Sequence, residues 1–380
     1  MQQAFPPAGA VPEPPADAVP EPPPDADRPT PRSFVLAVGM LVSSVLLAVL
    51  VVLPAPYAVT MPGPTTDVLG EEGGTPLIRV SGAPTYASTG QLRLTTVSAT
   101  GSPDYPSSVA GVLRGWLSSA SVVRPVEDVI PSGHTQQEID EENAVEMTTS
   151  QENATVAALV ELGYQVPATL TVAHTVEGTD AERQLREGDV LFAIDGVELH
   201  DYQTLVAHLA AVSPGASVDL GVERDGTRLD VPVVTTARED GGALIGVLVD
   251  PDFRFPVDVQ ISIDGVGGPS AGLMFALGIV DKLSPADEAD GVTVAGTGTI
   301  DVTGDVGPIG GIRQKLAGAA RDGAAWFLAP EANCGEVVGH VPAGLSVVEV
   351  ATLAEAVDAL TAIGAGRGAS LPTCQASDEG

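Results

Sequence analysis

Lys315 and Ser270 are the residues of this chain whose types and surroundings offer the most chemistry. Only two lysines occur in 380 residues, Lys282 and Lys315, against fifteen arginines. Lys315 lies in Gly-Pro-Ile-Gly-Gly-Ile-Arg-Gln-Lys-Leu, 45 residues after Ser270 in Gly-Gly-Pro-Ser-Ala-Gly. Arginine keeps its proton inside a protein, whereas a desolvated lysine can release it. A neutral amine is the general base that turns a serine hydroxyl into a nucleophile. The pair suggests a Ser-Lys hydrolase.

The elements that must position these two residues are readable around them. Val257 to Ile263 alternates apolar and polar residues, the pattern of a half-buried strand. Asp264 to Gly268 breaks it, Pro269 suits a first helical turn, and Ala271 to Val280 continues as a helix. Ser270 then sits where a glycine loop enters a helix, and unpaired N–H groups with the helix dipole favour an oxyanion there. Gly268, Pro269 and Ala271 form that loop backbone. For a lone Gly-Pro-Ser, an ordinary N-cap serine is the better explanation. A phosphate loop does not, because Leu273 and Met274 stand where Lys and Ser/Thr are needed. Upstream of Lys315, Val292 to Val302 reads as a short hairpin. Gly304, Gly307, Gly310 and Gly311 make a tight loop, and Ile312 to Arg321 reads as a short helix whose small residues allow close packing. A solvated surface lysine is the bland alternative for Lys315.

At these residues the chain resembles the proteolytic domain of Lon proteases. Gly268-Pro269-Ser270-Ala271-Gly272 matches the serine motif. Thr297-Gly298, Gly304, Pro308-Ile309-Gly310-Gly311-Ile312 and Lys315-Leu316 match the lysine motif in order and spacing. The resemblance covers roughly residues 245–350. It implies an α+β domain with Ser270 as nucleophile, Lys315 as general base and Thr297 as the threonine that hydrogen-bonds the lysine. It also implies homo-oligomers, by analogy with Lon rings. Two departures stand out. Gly267 occupies a position that is often acidic in ATP-dependent Lon enzymes, and no Walker A pattern occurs, so ATP independence is expected.

The rest of the chain divides by composition. Residues 1–33 are rich in proline and acid and read as a disordered tail. Phe34 to Leu53 holds twenty residues without a charge, enough for a helix of about 30 Å, the thickness of a bilayer core. Arg28 and Arg32 precede it and no Lys or Arg follows for 25 residues, which puts the tail in the cytoplasm and the remainder outside. A cleaved signal peptide is the rival reading, with weak cleavage signals near Ala55 and Ala58. Residues 54–164 read as a membrane-proximal region without evident chemistry, with β-like Gln91 to Val97, apolar Val109 to Leu117, and a helix near Val156 to Leu162.

Residues 165–238 read as a compact β-rich module. Val190 to Ile194 is a strand, Asp195-Gly196 a hairpin turn, and Leu205 and Leu209 mark a helix face. Leu-x-x-Gly-Asp-Val-Leu, then Asp-Gly-Val-Glu-Leu, a helix, Pro-Gly and Val-x-Arg-Asp-Gly together resemble a PDZ domain. The resemblance implies a groove that takes an extended peptide as an added strand, with its carboxylate loop placed in the Gly163-Tyr164 region. A structural module with a closed groove is the alternative. Residues 241–363 form the Lon-like domain and 364–380 a tail.

The net charge of −33 argues against nucleic acid as a partner, since phosphate binding needs clustered cations. No nucleotide, cofactor or metal is expected, because no His/Cys cluster has zinc spacing. Cys334 and Cys374 are either two buried thiols or, outside the cytoplasm, a disulfide. The five histidines lie outside any Gly-x-Ser-x-Gly context, and His340 alone falls in the Lon-like region. The whole reads as a membrane-anchored, ATP-independent serine endopeptidase that acts on unfolded or extended protein segments. The alternatives are an anchored, non-catalytic PDZ adaptor and a self-processing protein.

Overall fold

The structure, a computed structural model of the chain, describes residues 31–102, 105–129, 135–238 and 241–375. It divides into two units, residues 1–53 and 54–380. Within the first, helix α1 (Pro31–Val52) is exposed from Arg32 to Val52. Its stretch Arg32–Val52 has a mean hydropathy of 2.9, long and apolar enough to cross a membrane. Of the tail expected over residues 1–33, residues 1–30 lie outside the described residues, and 31–33 open the helix.

The second unit begins with strand β1 (Tyr57–Asp67), β2 (Ile78–Ser81), β3 (Gln91–Thr100), helix α2 (Val109–Leu117), β4 (Val122–Pro125) and helix α3 (Gln136–Glu161). A capping box starts α3: the Thr135 hydroxyl accepts from Glu138 N and the Glu138 carboxylate from Thr135 N. Met147, Ser150, Ala154, Ala157 and Ala158 recur at helical spacing and form its buried stripe.

The chain then builds a separate antiparallel sheet from β5 (Ala168–Thr175), β6 (Val190–Ile194), β7 (Ser217–Arg224), β8 (Thr227–Val234) and β9 (Val247–Phe253), with helix α4 (Tyr202–Ala210) between β6 and β7. Its order is β8-β7-β6-β5-β9, so β9 is an edge. Buried Asp189 receives both Nε and a terminal nitrogen of Arg224 at 2.8 and 2.7 Å, tying the start of β6 to the end of β7. The β-rich module thus extends to Phe253, beyond the expected end at 238, because β9 pairs with β5 from Val247–Thr175 to Phe253–Ala168.

The remaining elements are β10 (Asp258–Ile261), α5 (Gly272–Leu283), β11 (Thr293–Gly296), β12 (Thr299–Ile300), β13 (Val306–Gly307), α6 (Ile312–Arg321), β14 (Trp326–Pro330), β15 (Ser346–Val350) and α7 (Leu353–Gly364). Three of these strands join three from before the module in one sheet, ordered β15-β14-β11-β3-β1-β4. Neighbours from β15 to β3 are parallel, and those from β3 to β4 antiparallel. β2 pairs with β10 in the same manner, across the insertion. The sequence reading set residues 54–164 apart as a membrane-proximal region; the structure instead places β1 and β3 in the same sheet as β11, β14 and β15. Likewise, the expected 292–302 hairpin resolves into β11, which runs parallel to β3, and a separate pair, β12 with β13.

Successive residues of the parallel strands fall in different cores, as the two-residue period of a strand requires. Val294, Leu328 and Val348 pack with α3, α5 and α7, whereas Ala295, Phe327 and Val347 pack with Ile312, Leu316 and Ala319 of α6. Helices α5 and α6 therefore lie on opposite faces. Apart from Lys282, every residue of α5 is buried, as an all-round apolar core helix should be.

Candidate active site

Ser270 and Lys315 arrive from opposite faces of the sheet and meet past the carboxyl end of β11. Lys315 projects from the first turn of α6, and Ser270 occupies the turn just before α5. The helix begins at Gly272, slightly later than expected from Ala271, because Ala271 N-caps it and the Ser270 carbonyl is taken elsewhere. It accepts from the Thr297 hydroxyl at 2.9 Å and from Gly298 N at 3.0 Å. Thr297 directly follows β11 and is fully buried.

The Lys315 amine stands 2.7 Å from Ser270 Oγ and donates to Thr297 Oγ1 at 2.9 Å. The residue is only 3% exposed. Burial penalises the charged ammonium and pulls its pKa down from 10.5 to about 8. No salt bridge holds the proton on the amine among the described residues.

Strand β3 forms one wall of the cleft. Thr95, Val97 and Ser98 line it with Asp264, Ser270 and Lys315 around a volume of about 450 Å³. The parallel partner β11 covers β3 only as far as Leu94, so the segment beyond it faces the cleft. Gly311, at φ 73°, lets the chain turn into α6 so close to Val97 that a side chain would meet Val97 Cγ2 at 2.8 Å.

Helix α3 holds the serine loop from behind. Asn143 O accepts from Gly268 N at 3.1 Å, and the buried Ser150 hydroxyl donates to Pro269 O at 3.0 Å. Gly267 has a physical reason here: a Cβ at that position would lie 2.9 Å from Asn143 Cβ. Of the three loop residues named from sequence, Gly268 has thus given its N–H to Asn143, and Pro269 has none. Ala271 N, together with Ser270 N, has no partner among the described residues. Sequence reasoning missed Asn143 and Ser150. A serine within the apolar stripe of α3 was the available signal.

On the Lys315 side, buried Asn333 clamps the preceding loop: its Oδ1 accepts from Ile309 N at 2.9 Å and its Nδ2 donates to Ile309 O at 3.0 Å. The adjacent Cys334 is bonded to Cys374, with sulfurs 1.99 Å apart. Cys334, Glu349 and Cys374 form the one metal-type ligand group among the described residues, and its sulfurs are committed to each other rather than available as thiolates. His340 is exposed, with Nδ1 3.1 Å from its own loop's Val338 O; His134 lies outside the described residues.

The β-rich module carries a second, apolar cleft of about 380 Å³ between α4 and the β9 edge. Tyr202, Leu205, Val206 and Leu209 form one side and Ala243 to Val249 the other. Gly163 and Tyr164 are not among its lining residues. The turn that opens onto this edge is Leu244-Ile245-Gly246, some eighty residues further on. From the neighbouring α4 position, Gln203 Nε2 donates to Val302 O at 3.1 Å, between β12 and β13.

Residues 257–362 match the family model of the Lon protease (S16) C-terminal proteolytic domain.
Residues 145–235 match that of the PDZ domain. The PDZ match starts inside α3, whose residues Asn143 and Ser150 hold the serine loop of the Lon-type domain. Lon protease 2 of Bacillus subtilis is 34% identical over 106 residues, 27% of this chain and 18% of that protein. The archaeal Lon protease of Methanothermobacter thermautotrophicus is 32% identical over 111 residues, 28% of this chain and 17% of that protein. The chain thus spans less than a fifth of the length of these relatives. Among solved structures, the PDZ domain of an SdrC-like protein from Listeria monocytogenes aligns at 20% identity, covering 21% of this chain and 86% of that one, with a TM-score of 0.21. The Lon-type and PDZ regions account for the mixed helix and strand content that the sequence implied.

Proposed function

We propose that this chain is a membrane-anchored, ATP-independent serine endopeptidase with a Ser270–Lys315 dyad. The observation that carries the reading is the 2.7 Å separation of the Lys315 amine from Ser270 Oγ in a site that depresses the lysine's pKa by burial. In its neutral form the amine takes the hydroxyl proton as Ser270 Oγ attacks a peptide carbonyl. The N–H groups of Ser270 and Ala271 receive the oxyanion. Lys315 then returns the proton to the leaving amine, and water hydrolyses the ester by the same route in reverse. Thr297 keeps the amine aimed, because its hydroxyl is fixed by the Ser270 carbonyl.

The proteolytic domain in this reading is discontinuous. It comprises residues 57–161 and 257–363, and the PDZ module is inserted between α3 and β10. The module's groove takes an extended peptide as an added strand on β9, with apolar side chains against Leu205 and Leu209. Substrates are unfolded or extended protein segments, the form that strand addition requires. The α1 helix anchors the chain, with Arg28 and Arg32 on the cytoplasmic side and the domains outside. Oligomerisation follows by analogy with Lon alone.

The test is hydrolysis of an unfolded protein by the full chain in detergent, without nucleotide. Activity that vanishes in both Ser270→Ala and Lys315→Ala, with folding intact, supports the dyad. Near wild-type turnover in either variant overturns it. Cleavage of added protein separates an endopeptidase from a self-processing chain.

A further inference from the structure

Helix α2 presents an apolar face that none of the described residues of the second unit covers. Leu113 is 46% exposed, Trp116 61% and Leu117 90%, at the i, i+3, i+4 spacing of one helix face. Tyr105, 69% exposed, precedes it in the chain. The opposite side of α2 is seated closely, because Gly115 leaves no Cβ between the helix and Val59 and Val123. The helix thus packs against β1 and β4 on one side and leaves the apolar face on the other exposed.

Charge and connectivity say what kind of partner fits this face. In a chain of net charge −33, residues 105–126 contain two arginines, Arg114 and Arg124, and no acid. The paired stretch 54–66 contains no acid either. The covalent path to the apolar helix is also short. Pro54 pairs with Ser108, the N-cap of α2, and Ala55 N donates to Ser107 O at 2.8 Å. The Trp116 ring meets Tyr57 edge-on at 6.0 Å. Three residues, Pro54 to Pro56, join Leu53 to Tyr57, and the four Cα-to-Cα steps reach at most about 14 Å. Tryptophan and tyrosine favour the headgroup level of a bilayer, and arginine favours its anionic lipids.

We propose that the Leu113–Trp116–Leu117 face of α2 docks into the headgroup region of an anionic phospholipid bilayer. This rests on the reading that residues 32–52 span that bilayer. The docked helix would hold the ectodomain at the surface as a second contact beside the span.

Trp116 and Trp326 are the only tryptophans, which makes the test direct. Full-length Trp326→Phe protein is placed in nanodiscs of phosphatidylcholine and phosphatidylglycerol that carry a headgroup-level nitroxide quencher. Trp116 loses most of its emission, whereas Trp326 in the companion Trp116→Phe protein keeps most of its own. Leu113→Ser/Leu117→Ser relieves the quenching of Trp116. Equal, weak quenching of both tryptophans in protein that vesicles retain through a carbonate wash overturns the docking and leaves the anchor standing. Release by carbonate overturns both. Shielding of Trp116 that grows with protein concentration and ignores the quencher assigns the face to a second copy, which also overturns the proposal.

Discussion

The Lys315 amine lies 2.7 Å from Ser270 Oγ although the two residues belong to helices on opposite faces of one sheet. They meet because β11 stops at Gly296, and Thr297 just beyond it bonds both the amine and the Ser270 carbonyl. Such an arrangement demands the amine itself. Lys315→Arg keeps the charge but supplies a group that does not deprotonate. We expect it to lose peptide hydrolysis as completely as Lys315→Ala, by about 10²–10⁴-fold or more in kcat/KM, the usual worth of a general base. Steady-state cleavage of a fluorogenic peptide checks this; an active arginine variant would remove Lys315 from the role of base.

Burial sets the pH dependence of both activity and stability. With its pKa lowered to about 8, Lys315 is protonated below that pH and neutral above it. Activity should rise with pH through about 8 and then level off. Stability has a definite sign too. The unfolded lysine titrates near 10.5, so between about 8 and 10.5 the unfolded chain binds the extra proton. Folding stability from this group therefore increases as pH rises across that window, and below 8 the full cost of burying the ammonium is present. Lys315→Met should accordingly be more stable than wild type near neutrality, by at most about 3 kcal/mol, with the gap closing toward pH 10.5. Urea melts at several pH values measure it, and a gap that widens with pH contradicts the assignment.

Ser150 tests whether α3 belongs to the catalytic machinery. Its buried hydroxyl is the donor to Pro269 O, and Ser150→Ala leaves that carbonyl without it. The expected loss is about 1–3 kcal/mol of stability. Because the peptide it holds carries the Ser270 N–H, kcat should fall while KM and the pH midpoint near 8 stay in place. An effect on stability alone would make Ser150 purely structural.

The sequence was most informative where structure is local. The helix Ile312–Arg321 and the strand Val190–Ile194 are bounded by glycines or turn residues that stop the chain whatever it packs against. The Ser270–Lys315 pairing was legible through its motifs rather than through any periodicity. What stayed hidden is non-local. Nothing in Gln91 to Thr100 announces that its parallel partner lies two hundred residues later, because alternation records which faces are buried and not which strand is the neighbour. The same blindness hid β9, whose pairing with β5 sets the apolar cleft of the module away from Gly163-Tyr164. It also hid Asn143 and Ser150, which precede the helix expected near Val156 to Leu162 and bond a serine loop more than a hundred residues further on.

The groove between α4 and β9 can be separated from the dyad by experiment. Val206→Glu places a charge on the groove wall opposite the exposed edge residue Leu248. A desolvated, unpaired carboxylate is costly against an apolar peptide side chain. Binding of peptides with free apolar C-termini should weaken at least about tenfold, corresponding to about 1.4 kcal/mol. Cleavage of a short peptide that reaches only the Ser270 cleft should be unchanged, whereas cleavage of a long unfolded protein should slow. Titration calorimetry with the two cleavage assays distinguishes a capture groove from a closed structural module, for which neither binding nor cleavage would respond.

The Cys334–Cys374 bridge ties the C-terminal segment to the start of the short helical turn after β14. It closes a loop of 40 residues, worth roughly 4 kcal/mol in the chain-entropy account, and native strain or residual unfolded structure usually reduces that value. Cys334 is buried, so Cys334→Ala/Cys374→Ala compares the bridged state with one that leaves no stray thiol. The double variant should lose about 2–4 kcal/mol of stability, and reductant should destabilise wild type while leaving the variant unchanged. Turnover of short peptides should survive in both. The loop before Lys315 is held separately, by the paired hydrogen bonds of Asn333 with Ile309, and those do not pass through sulfur. A wild type whose melting is indifferent to reductant would show that the bridge contributes nothing; a loss of turnover on reduction would show that the Asn333 clamp depends on its neighbour.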